Sequence, residues 1–125
     1  MEADQVESIE LKVRPGAEPA GAVDELSGRV PELKAQWAAL LEQAAAERSE
    51  LLELPPYELS AKPSKNFQVI GMLFKTIQAH QRQNEYPKSV ALCCLTEDDA
   101  TMYRQVYNFY IPNTKAERMN SGLWD

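Results

Sequence analysis

The chain is predicted to fold as a mainly helical α+β domain, with three helices (about 31–53, 65–83 and 97–110) and two short strands (about 8–14 and 89–95). Three patterns lead there: an alternating apolar/polar run at Ser8–Arg14, long stretches with apolar residues at steps of three and four, and an uninterrupted apolar run at Ser89–Leu95. At 125 residues, with 44% apolar and 26% charged side chains, the composition supports one packed domain. It excludes collagen-like, mucin-like and wholly disordered chains, which lack the apolar surface to offset the entropy of ordering.

Ile9, Leu11 and Val13 fall on one side of the first run, and Ser8, Glu10, Lys12 and Arg14 on the other, the pattern of a half-buried strand. Pro15-Gly16 ends it. Pro15 to Gly28 mixes Pro, Gly, Ala and acids, which predicts a flexible loop over about 15–30 with at most one short helical turn. Pro31 suits the first turn of a helix, where its missing N–H would be unpaired anyway, and Glu32 complements the helix dipole. Leu33, Trp37, Leu40, Leu41, Ala44, Leu51 and Leu52 continue the periodicity, so one amphipathic helix of roughly 35 Å is expected up to Pro55-Pro56.

Ser64 is the predicted N-cap of the second helix, whose apolar face carries Phe67, Ile70, Leu73, Phe74 and Ile77. Gly71 in its middle marks a close approach by another element. The apolar run at Ser89–Leu95 has the length of a strand buried on both faces. Thr96 then supplies an N-cap, with Asp99 three residues later in a capping-box variant where Asp replaces Glu, and Ala100, Tyr103, Val106, Tyr107 and Tyr110 recur at helical spacing until Pro112. Residues 1–110 are thus expected as a single small domain and 111–125 as an extended C-terminal tail without periodicity.

The formal charge of -6 disfavours a nucleic-acid partner, because affinity for phosphate comes from Lys and Arg. The charge is unevenly spread. Residues 1–60 carry 13 acidic and 5 basic side chains, whereas residues 61–125 carry 6 and 8, together with eight of the ten aromatics. No apolar run approaches the 18 residues of a membrane span. Cys93 and Cys94 are adjacent and point to opposite faces of an extended chain, so a disulfide framework is not expected. A reducing compartment follows, cytoplasmic or inside an organelle.

Glu97, Asp98 and Asp99 open a helix after a buried strand, the junction where open α/β folds bind ligands. With His80 they form the chemical alternative, a small hydrolase or metal-dependent enzyme. The simpler reading places these acids in the first helical turn, where the dipole favours them. No glycine-rich phosphate loop, nucleophile motif or zinc spacing is present, and no cofactor is expected.

The favoured expectation is a non-enzymatic protein-interaction domain, a small subunit or adaptor of a larger assembly. Its contacts are an acidic stripe of Glu47, Glu50 and Glu53 on the first helix, facing a basic surface, and an aromatic group on the last helix and tail. That group comprises Tyr103, Tyr107 and Tyr110 with Lys115, Arg118 and Trp124.

Overall fold

A computed structural model describes residues 9–110. The element order is β1 (Ile9–Val13), α1 (Val23–Leu26), α2 (Val30–Ala46), β2 (Leu51–Leu54), α3 (Pro63–Gln83), β3 (Ser89–Cys94) and α4 (Glu97–Tyr110). The fold is α+β and helix-rich, as predicted, but the described residues form three strands rather than two. They form one parallel sheet in the order β1-β3-β2. Lys12 lies opposite Cys93 on one side of the central strand, and Glu53 lies opposite Ala91 on the other.

The long first helix is the main correction. It stops at Ala46 and does not run to residue 53. Arg48 turns the chain with φ 56°, in the left-handed region, and the Ser49 N–H donates to the Ala44 carbonyl at 2.9 Å. Leu51–Leu54 then leaves as an edge strand, and the Ser89 N–H donates to the Glu50 carbonyl at 2.9 Å. Sheet pairing satisfies this backbone and buries Leu54. A continued helix would instead have stacked Glu47, Glu50 and Glu53 at the end where its dipole repels them.

The other helices match their predicted bounds closely. Thr96 Oγ1 accepts the Asp99 N–H at 3.0 Å, the expected cap of α4. Ser64 is not the cap of α3. Pro63 begins that helix after Lys62, and Asn66 secures its entry: Asn66 Oδ1 accepts the Ser60 N–H at 2.8 Å and Asn66 Nδ2 donates to the Ser60 carbonyl at 2.9 Å. The 15–30 segment holds the short α1, whose Val23 is fully buried and donates its N–H to the Glu58 carbonyl.

One apolar core joins all four helices to one face of the sheet. Val90, Leu92 and Cys94 of β3, flanked by Ile9, Leu11, Val13, Leu52 and Leu54, meet Trp37 and Leu41 of α2, Ile70, Phe74 and Ile77 of α3, and Tyr103 and Val106 of α4. Each such large side chain contributes about 1.5–3 kcal/mol by burial. Trp37 and Tyr57 lock edge to face, with Trp37 Nε1–H donating to the Tyr57 hydroxyl at 3.0 Å. The close approach expected at Gly71 comes from α4, since the Tyr110 ring occupies the space a Cβ there would need.

The path of the chain explains why the helices share a face. The β1-to-β2 and β2-to-β3 connections step across the sheet in opposite directions, yet α2 and α3 pack against each other on the same side. They therefore have opposite hands, and one departs from the right-handed rule. Two right-handed crossovers would have put one helix on each face.

Candidate functional site

Side chains alternate along a strand, so the residues between the core positions define the second face of the sheet. Glu10 and Lys12 come from β1, Ala91 and Cys93 from β3, and Leu51 and Glu53 from β2. None of them belongs to the core cluster, whose helices pack on the other face, yet Ala91 is fully buried and Cys93 5% exposed, so only the outer strands present accessible side chains here. All-parallel sheets are usually covered on both faces. Leu51, an apolar side chain on this face, is 44% exposed.

The register arranges the face in rows. Glu10 and Glu53 flank Ala91, and one row further toward the carboxyl ends Lys12 lies beside Cys93. Arg14, just past β1, crosses to Glu53 with Nη2 2.6 Å from Oε2, and the Cys93 thiol donates to the same Oε2 at 3.3 Å. The ion pair thus straps Cys93, which is buried beneath it. Arg14, Glu53, Leu54, Pro55 and Cys93 line an open depression of about 380 Å³ at the carboxyl ends of the strands.

Electrostatics follow this geometry. The Glu53 carboxyl is held below its ordinary range by the hydrogen bond from Cys93, with Arg14 adding to the effect against desolvation. Desolvation, and then the bond to Glu53, pushes the Cys93 thiol up. Cys94 faces the core and is pushed up to about 12, first by burial and next by Asp99. Neither thiol has the electropositive setting of an activated nucleophile.

The residues expected to make partner contacts are dispersed. Glu47 is the C-cap residue of α2 and accepts from Gln43, Glu50 lies in the turn before β2, and Glu53 faces the helix-free side of the sheet. The acidic helical stripe does not exist, because the helix ends at Ala46, before all three of its members. Tyr103 and Tyr107 pack on Phe74 at ring distances of 6.3 and 5.2 Å and are 1% and 7% exposed, so they serve the core. Tyr110 and the 64% exposed Phe109 gather with Phe67 at the end of α4, under the Lys75 ammonium. Lys115, Arg118 and Trp124 lie outside the described residues.

The alternative constellation is not assembled. His80 Nε2 lies 3.0 Å from the Tyr86 carbonyl, on the chain entering β3, whereas Glu97, Asp98 and Asp99 follow its exit. Six strand residues at about 3.3 Å each separate the two ends by roughly 20 Å. Among the described residues no group of His, Cys, Asp and Glu could hold a metal ion, and no helix is long and apolar enough to cross a membrane.

Sequence reasoning missed Arg14, Leu51 and Ala91 as site residues. The available signal was the polar side of the first strand, where Glu10, Lys12 and Arg14 share a face; Leu51 and Leu52 continue the helical spacing and carried none. Comparison with family models, with curated proteins and with solved structures finds no match to this chain.

Proposed function

We propose that this chain is a non-enzymatic protein-interaction domain, a small subunit or adaptor of a larger assembly, and that it docks through the helix-free face of its sheet. One observation carries this reading: a parallel sheet whose second face exposes Leu51 beside the charged Glu10, Lys12 and Glu53, with no described helix packed on it. A partner there completes the layering that parallel sheets require. The acidic residue retained from the expected contact set is Glu53, now as part of this face. The exposed Phe109 at the end of α4 favours a second, aromatic contact. Both thiols are free, which supports a reducing compartment such as the cytoplasm or an organelle interior.

Sedimentation of the tagged chain in an extract of its native source tests the reading. Wild type is expected in a large particle, and Leu51→Glu is expected as a free, folded monomer with unchanged circular dichroism. Wild type sedimenting alone overturns the proposal.

A further inference from the structure

We propose that the cleft between α2 and α3 binds an elongated organic anion, its acid head held by Lys34 and Lys75 and an aliphatic body of medium-chain length lying along Ala38 and Ala79. The cleft is separate from the helix-free sheet face and stands whether or not that face docks a partner. It has a volume of about 540 Å³, the size of a small-molecule site. Small side chains on both walls, Ala38 on α2 and Ala79 on α3, leave this space open. Its floor is apolar, with Leu41 fully buried and Met72 packed against the core. Thr76 is also buried there, and its hydroxyl already donates to the Met72 carbonyl at 2.7 Å, so the floor offers an aliphatic body no unpaired donor.

Charge selects an anion and fixes its direction. Both helices start beside α1: α2 follows it directly, and at the start of α3 Lys65 Nζ lies 3.7 Å from Asp24 Oδ1. The two helices therefore run side by side in the same sense. Lys34 and Lys75 stand toward the leading end of the cleft, and Glu42, His80 and Gln83 toward the other. Lys34 and Glu42, eight residues apart at about 1.5 Å each, are separated by roughly 12 Å along α2. Lys34 forms no ion pair among the described residues. Lys75 Nζ is placed 5.1 Å from the centroid of the Tyr110 ring, a contact that leaves ammonium protons to donate to an anion. On a chain of formal charge -6, these walls carry two lysines against one glutamate. Glu42 repels an acid head from the far end, so the head belongs at Lys34 and the body runs past Ala38 and Ala79.

The test titrates the intact, isotope-labelled protein with octanoate and follows its backbone amide resonances. Saturable shifts are expected to concentrate at Lys34, Ala38, Thr76 and Ala79. Hexanoate, shorter by two methylenes, is expected to bind about tenfold more weakly. Ala79→Leu fills the cleft from an exposed helix position, so it is expected to keep the amide spectrum of a folded protein and to lose octanoate binding. Lys34→Glu is expected to weaken octanoate by about tenfold or more. Octylamine, with the same body and a cationic head, is expected to give no saturable shift in the cleft. Absence of saturable shifts with octanoate, equal shifts with octylamine, or unchanged octanoate affinity in Ala79→Leu overturns the assignment, and none of these outcomes bears on the sedimentation result.

Discussion

Arg14 and Glu53 come from the two outer strands and meet at 2.6 Å above the thiol of the strand between them. The pair holds together the carboxyl end of the sheet on the side that no described helix covers. It covers Cys93, whose thiol is pushed up first by burial and next by the hydrogen bond to Glu53, with Arg14 opposing.

Thiol reactivity reports on this strap. Burial raises the Cys93 thiol most and Glu53 next; Glu53→Gln removes the second cause, so Cys93 is expected to alkylate several-fold faster at pH 8. Cys94, pushed up to about 12 on the core face, is expected to stay unreactive in the folded protein. Peptide mass spectrometry after timed iodoacetamide treatment separates the two sites.

The contact between Gly71 and Tyr110 predicts a non-additive pair. Gly71→Ala favours the helix by up to about 1 kcal/mol but drives a methyl into the Tyr110 ring, and overpacking of this kind costs about 1–3 kcal/mol. Urea denaturation is expected to show net destabilisation in the wild-type background. In Tyr110→Ala the same substitution should be neutral or stabilising.

Tyr57→Phe leaves the Trp37 indole N–H without its partner in a buried site, at an expected cost of about 1–3 kcal/mol. The urea midpoint followed by far-ultraviolet circular dichroism measures it. Trp37→Phe in the Tyr57→Phe background should recover part of the loss, because no orphan donor remains.

Alkaline stability depends on Cys94. Its folded pKa is raised from 9.0 to about 12, so the folded state keeps a proton that the unfolded state releases. Its contribution is intact below pH 9 and is lost as pH rises toward 12, at up to about 1.4 kcal/mol per pH unit. Denaturation midpoints from pH 8 to 11 are expected to fall more steeply in wild type than in Cys94→Ala.

Much of this fold is legible in local pattern. The alternation at Ile9–Val13, the periodicity of α3 and the Thr96 cap each depend on residues a few positions apart, and all appear where expected. Leu51–Leu54 was not legible, because Leu51 and Leu52 continue the helical spacing of α2 and the break falls at Arg48, a residue type that rarely takes a left-handed φ. Its strand conformation is decided by pairing with β3, nearly forty residues away. The site was hidden for the same reason. Glu53 stands out as an acid on a helix only until the chain turns, and its meeting with Arg14 requires the parallel register of all three strands.

Hydroxyl-radical footprinting of the chain in its native assembly against the purified protein tests the docking face most directly. Among the described residues three large apolar side chains are well exposed: Leu51 on the helix-free sheet face, Leu40 on α2 and Phe109 on α4. The account predicts that Leu51 is strongly protected in the assembly while Leu40 reacts as in the free protein. Equal reactivity of Leu51 in both states, or protection of Leu40 or Phe109 with Leu51 still open, would contradict it.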